Sequence, residues 1–162
     1  SWVMSKYAIG LDNMLRSYLI EEHSVSELED AFIAQTNWDL RKGRPTVVPC
    51  AEALENKIYS NKFHKGFTGT AGGFYGPQAR VVRLNIQDPQ LNSKMDAFNY
   101  NGTRMTNLEM ETSAIYGLGK LLGHNCLSLN AIIANRAVGE FSSNPEKTVN
   151  ELIAYTLDKL VE

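Results

Sequence analysis

The stretch from Glu109 to Ala134 constrains the fold more than any other part of the chain. Ala114, Ile115, Leu118, Leu121 and Leu122 recur at intervals of three and four, which lines one face of a helix. Gly123 follows as a natural C-terminal stop. Cys126 to Ala134 then runs almost without a polar break, as a central strand of a parallel sheet does. A helix leading directly into a buried strand calls for a layered fold, because neither element can cover its apolar surface alone.

The rest of the chain alternates in the same way. Ser1 to Ile9 is mostly apolar and predicts a strand ending at Gly10. Leu11 to Ile20 carries Leu11, Met14, Leu15 and Leu19 at helix-like spacing, either a helix or an ordered segment beside one. Glu21 to Glu29 is acidic and polar, which predicts an exposed connection or a solvated helix. Thr46-Val47-Val48 reads as a short strand. Beyond Pro49, Ala51, Leu54 and Ile58 mark one face of a short helix. His64 to Thr70 is β-type and is broken at Gly72-Gly73. Val81 to Leu84 reads as a strand, Pro89 to Phe98 as a helix with Leu91, Met95 and Phe98 inward, and Asn99 to Arg104 as a turn. Glu146 to Glu162 is amphipathic, with Val149, Leu152, Ile153, Leu157 and Leu160 on one face. The Gly117-Leu118-Gly119 run lies inside a helix and predicts close packing there, not a phosphate cradle. The expectation is an α/β fold, a three-layer α/β/α arrangement around a central mixed sheet, with residues 1–162 forming a single domain.

At 162 residues, 43% hydrophobic and 21% charged, the chain can bury a real core and is no disordered tail. A net charge of −2 with scattered basic residues argues against a nucleic-acid partner. No apolar run has the length of a membrane span, and no charged-then-apolar leader is visible. Cys50 and Cys126 lack metal spacing, so reduced thiols in a cytoplasmic protein are expected. The opening Ser1-Trp2-Val3-Met4 is already apolar, as the interior of a fold is, and the expectation is a truncated chain.

Ligands of open α/β sheets sit at the carboxyl ends of strands. Polar and glycine-rich residues gather at three such positions: Thr68 to Arg80, Asn107 to Glu111, and Ala134 to Arg136. In Glu109-Met110-Glu111, a carboxylate can accept from two adjacent hydroxyls and the methionine can pack on a sugar face. Residues two apart on a helix face different ways, so the two glutamates need not act as a pair. Taken alone, the motif is better read as acids complementing a helix dipole. In Phe74-Tyr75-Gly76-Pro77-Gln78-Ala79-Arg80, the Gln78 amide matches the adjacent carbonyl and N–H of a uracil edge. Arg80 can donate to a second carbonyl, and an aromatic ring can pack on the base. An ordinary turn with a core Phe and a surface Arg explains the same residues equally well. At Asn135-Arg136, an ion-pairing arginine is the plain alternative. An enzyme cleaving purine nucleosides gains from protonating N7, commonly with a carboxylic acid. Asn135 cannot act as an acid, which leans the site toward a pyrimidine.

Together, Phe74 to Arg80, Asn107 to Glu111 and Ala131-Ile132-Ile133-Ala134-Asn135-Arg136 resemble the uridine phosphorylases of the nucleoside phosphorylase-I family. The likeness extends to Ala8-Ile9-Gly10-Leu11-Asp12-Asn13 and covers essentially the whole chain in order. The Gln-x-Arg loop combined with Asn-Arg, where purine enzymes have Ser-Asp, is the discriminating feature. The resemblance implies a pentosyltransferase of pyrimidine salvage. Inorganic phosphate as co-substrate would attack ribose C1′ of uridine, giving uracil and ribose 1-phosphate without a metal or organic cofactor.

It implies a catalytic set of Arg80, Glu111 and Arg136. Phe74, Gln78, Arg80, Glu109, Met110, Glu111, Ile133 and Ala134 would bind the substrate. Gln78 and Arg80 would read uracil, Phe74 would pack on it, and Ile133 and Ala134 would line the pocket around C5. Glu111 would accept the ribose 2′- and 3′-hydroxyls, Met110 would lie over the sugar, Glu109 would assist, and Arg136 would sit behind the base. The family's chains are much longer, so this one is expected to be the C-terminal portion, lacking the phosphate-binding residues and needing an N-terminal half or companion chain. A homo-oligomer, dimer or hexamer, is implied as well. Two other readings are a non-catalytic nucleoside-binding or storage relative, and a purine nucleoside phosphorylase or nucleoside hydrolase of the same fold.

Overall fold

The computed structural model describes residues 1–135 and 139–162. β1 (Trp2–Gly10) is the predicted first strand, and the chain leaves it through a single 3-10 turn at Met14–Ser17 instead of a full helix over 11–20. α1 (Ser26–Thr36) starts inside the stretch expected to be solvated, and its Glu29 is 1% exposed. It ends where Asn37 adopts a left-handed φ of 48°. β2 (Thr46–Pro49), α2 (Glu52–Ile58) and β3 (Phe63–Thr70) follow their sequence patterns closely. So does α3 (Leu91–Ala97), with Leu91, Met95 and the adjoining Phe98 all buried. The turn expected at 99–104 is a hairpin between β4 (Asn99–Tyr100) and β5 (Thr103–Glu109). Its two linking residues, Asn101 and Gly102, both have positive φ, as the tight turn that matches strand twist requires. α4 (Thr112–Leu121) is closed by Gly123 at φ 76°. Beyond it come β6 (Leu129–Ala131), β7 (Ala134–Asn135), β8 (Glu140–Phe141) and α5 (Pro145–Val161), the last capped by the Asn144 side chain.

The sheet is mixed, in the order β2-β1-β3-β5-β4. β1, β3 and β5 run parallel, so their carboxyl ends share one edge. β2 and β6 both pair antiparallel with β1, β2 along Tyr7–Gly10 and β6 along Trp2–Met4. Helices cover both faces, as the expected α/β/α layering requires. On one, Ile9 and Phe67 pack with Phe32 of α1, Met95 of α3 and Phe98. On the other, Ala8, Val48 and Cys50 pack with Tyr116 of α4. A third cluster joins Met4 and Phe63 to Ile58 of α2 and Leu152 of α5.

Four expectations are corrected. Cys126 to Ala134 is not a central parallel strand: only Leu129–Ala131 joins the main sheet, antiparallel to β1, because β2 already occupies the rest of that side of β1. Ala134 pairs instead within the β7–β8 hairpin. Val81 to Leu84 is no strand, and Val81, Val82 and Leu84 are largely exposed. The inner face of α4 is rotated from the one the apolar spacing marks. Thr112, Ser113, Tyr116, Gly117 and Gly119 are buried, while Ile115 and Leu122 face outward. In α5, only Leu152 of the predicted apolar face is buried. The close packing expected at Gly117 and Gly119 is present. A Cβ on Gly117 would press into the Leu15 side chain, and one on Gly119 into Cys126 Sγ.

Candidate functional site

Strand pairing builds the site. At the shared carboxyl edge, the Leu11 N–H donates to the Thr70 carbonyl at 2.8 Å and the Ala71 N–H to the Glu109 carbonyl at 3.0 Å. The chain leaving β3 therefore begins beside the chain leaving β5. Behind this edge, a buried row of polar side chains crosses the sheet. Ser5 Oγ is 2.6 Å from Thr68 Oγ1, which donates to Asn107 Oδ1 at 2.7 Å, and Asn130 Nδ2 donates to Ser5 Oγ at 3.1 Å. Each buried group finds a partner, so the row holds four strands in one register.

After Gly72-Gly73, the chain makes a 3-10 turn at Gly76–Gln78. The N–H groups of Gln78 and Arg80 both donate to the Tyr75 carbonyl, at 3.0 and 2.9 Å, and Ala79 takes a left-handed φ of 56°. This tight reversal lays the Arg80 guanidinium over the Phe74 ring, 3.6 Å from its centroid. Arg80 Nε is buried and has no hydrogen-bond partner among the described residues. Gln78 is 2% exposed, and Phe74 and Tyr75 meet edge to face with both rings half exposed.

The Glu109-Met110-Glu111 turn separates the two carboxylates sharply. Glu109 Oε1 accepts from Thr70 Oγ1 at 2.5 Å, and its Oε2 accepts from the N–H groups of Glu111 and Thr112 at 2.8 and 2.7 Å. Glu109 thus caps the start of α4, as an acid at a helix N-terminus is suited to do. Glu111 and Met110 are exposed at the same edge.

Ile133 and Ala134, also exposed, lie at the start of the β7–β8 hairpin, where the Ser142 N–H donates to the Ile133 carbonyl. Arg136 lies outside the described residues. Thr70, Thr112 and Ser113 are the residues that sequence reading did not single out. Thr112 Oγ1 bonds Ser128 Oγ, and the Ser113 N–H donates to Thr70 Oγ1. Their only signal was the position of Thr70 as the last strand residue before the glycine break.

A cleft of about 830 Å³ opens beside this edge, under the irregular segment 81–88. Asp12, Trp38, Lys42, Tyr75 and Arg83 help line it. Of the predicted catalytic and substrate-binding residues that the structure describes, Arg80 alone reaches it, beside Tyr75, Gly76 and Pro77 of the same loop. At its rim, the Lys94 ammonium holds Asp88 below the usual carboxylate range. Among the described residues, no group of three or more His, Cys, Asp or Glu is placed to hold a metal. No helix among them is long and apolar enough to cross a membrane.

The fold is an α/β fold similar to that of solved nucleoside phosphorylases. A Trypanosoma brucei nucleoside phosphorylase, described as showing uridine phosphorylase activity, matches with a TM-score of 0.84 at 23% identity. The match covers 99% of this chain and 57% of that one. A structure from a study of two uridine phosphorylases of the oomycete Phytophthora capsici matches with a TM-score of 0.58 at 17% identity. It covers 100% of this chain and 59% of that one, so the chain spans less than two thirds of either relative. No protein-family model and no curated protein matches the sequence.

Proposed function

We propose that this chain carries the base- and ribose-recognition elements of a pyrimidine nucleoside phosphorylase acting on uridine. The observation that supports this best is the pairing of Thr70 with Glu109, which sets the Gln78–Arg80 loop and the Met110–Glu111 turn at one sheet edge. A nucleoside needs both kinds of group on one surface, an amide and a cation for the base and a carboxylate for the diol.

In this reading, the Gln78 amide pairs with a carbonyl and N–H of uracil, and Arg80, held on the Phe74 ring, donates to the other carbonyl. Glu111 accepts from the ribose 2′- and 3′-hydroxyls, Met110 lies against the sugar, and Ile133 and Ala134 flank C5. Phosphate attacks C1′ as the glycosidic bond to N1 breaks, and the bonding electrons leave with the base. The transition state is oxocarbenium-like, so the rate depends on positioning and on stabilising the uracil anion, for which Arg80 is the candidate in the described structure. The phosphate site is assigned to no residue of this chain. Participation in cytoplasmic pyrimidine salvage and assembly as a homo-oligomer belong to the same proposal.

The test is calorimetric binding of uridine, uracil and inosine to the chain, with phosphate-dependent release of uracil followed in parallel. Binding of uridine and uracil over inosine supports the reading. Binding without phosphorolysis leaves recognition standing, because no residue of this chain is assigned to phosphate. The same absence in a chain with its upstream half restored would favour a non-catalytic nucleoside-binding role. Preference for inosine overturns the pyrimidine assignment.

A further inference from the structure

We propose that Thr70 and Glu109 are positioning residues for Glu111, fixing the turn that aims its carboxylate, and that Glu109 itself does not touch the sugar. The inference rests on the nucleoside reading above.

Thr70 is 4% exposed, and its hydroxyl uses both of its capacities. It donates to Glu109 Oε1 at 2.5 Å and accepts from the Ser113 N–H at 2.9 Å. Glu109 Oε2 takes the N–H groups of Glu111 and Thr112. Three hydrogen bonds therefore engage both oxygens of Glu109, and two of them hold backbone on either side of the Glu111 α-carbon. Glu111 is held much less. Its own carboxylate accepts the Met110 N–H at 3.2 Å and is otherwise exposed, leaving acceptor capacity for a diol. One carboxylate of the motif builds the helix start and the other is presented by it. Thr70 connects that start to β3, the strand that leads into the base-reading loop.

The test uses Thr70→Val, which keeps the shape and removes the hydroxyl, Thr70→Ser, which restores it, and Glu109→Gln. Amide hydrogen exchange at Glu111, Thr112 and Ser113 is measured alongside calorimetric binding of uridine and of uracil. Thr70→Val and Glu109→Gln are expected to speed exchange at these amides. They should weaken uridine binding about five- to tenfold, the weight of one ordinary hydrogen bond, and leave uracil binding unchanged. Thr70→Ser should return both readouts toward wild type. Equal losses for uridine and uracil would indicate a general structural defect and overturn the proposal. So would loss of uridine binding in Glu109→Gln with exchange unchanged, because Glu109 would then touch the sugar directly. A wild-type chain that binds neither ligand overturns the nucleoside reading, and the aim toward ribose falls with it. Unchanged exchange in Thr70→Val, with uridine bound normally, overturns the positioning role alone.

Discussion

Glu29 Oε2 lies 2.7 Å from Arg16 Nη2, joining α1 to the turn after β1 across a buried contact. The same oxygen meets Arg44 Nε at 3.2 Å, and Oε1 accepts the Val47 N–H at 3.2 Å, so one carboxylate ties three segments together. Removing the carboxylate leaves the buried Val47 N–H without its acceptor and two part-exposed guanidiniums without their anion. Glu29→Ala should therefore cost about 1–3 kcal/mol of stability, measured by urea unfolding. Arg44→Ala, at a half-exposed side chain, should cost much less.

Tyr116 bridges the sheet and its covering helix. Its hydroxyl donates to the Ser5 carbonyl at 2.6 Å and accepts the Ser128 N–H at 2.8 Å. Tyr116→Phe keeps the ring and strands both backbone groups, at an expected cost of roughly 1–3 kcal/mol by thermal or chemical denaturation.

Gly66 lies in β3 where β5 passes closely. A Cβ there would fall on the Arg104 carbonyl oxygen and the Thr106 side chain. Backbone cannot yield as a flexible side chain does, so Gly66→Ala should destabilise by roughly 1–3 kcal/mol. Gly76→Ala is the control. Nothing lies within 4 Å of its Cβ position, and unfolding should be unchanged within about 0.5 kcal/mol.

Burial pushes the Cys50 thiol from its ordinary 9.0 to about 11, with the Glu55 carboxylate adding to the shift. The folded state thus favours the protonated thiol. Its contribution is complete below pH 9 and is lost as pH rises through about 11. Stability should fall across that window, and Cys50→Ser should flatten the decline. At pH 8, a thiol reagent should label the half-buried Cys126 well before Cys50, as peptide mapping would show.

Loss of the Gln78 amide should leave base groups unpaired, weakening uridine binding by roughly 1–3 kcal/mol. Glu111→Ala should harm uridine more than 2′-deoxyuridine, because one hydroxyl of the diol is absent from the latter. Calorimetry with both ligands reads the difference, and equal losses would remove the diol role.

Local periodicity determined much of this molecule. Leu91, Met95 and Phe98 lie three and four apart, and that spacing alone fixes which side of α3 turns inward. Asn101-Gly102 carries its own turn chemistry, and Gly123 its own helix stop. The strands β1, β2 and β3 are recognisable because their apolar and β-branched runs are bounded by Gly and Pro. The loop at 74–80 and the strand-to-helix junction at 107–111 were legible as polar residues gathered at strand ends.

Tertiary structure decided what depends on a partner from elsewhere in the chain. Val81 to Leu84 has the composition of a strand, yet a strand exists only where a neighbouring edge accepts its hydrogen bonds. β6 is short because β2 pairs with the adjoining length of β1. The α4 helix has apolar residues around much of its circumference, so its sequence cannot say which side is covered. The Thr112 hydroxyl turns inward to Ser128 Oγ, and the Ser113 backbone N–H is held by Thr70 Oγ1. The two glutamates of the motif look equivalent in sequence. They differ in the fold because Thr70, 39 residues earlier in the chain, meets only Glu109. Spacing along the chain records which residues share a face, whereas burial and pairing are set by distant groups that arrive only on folding.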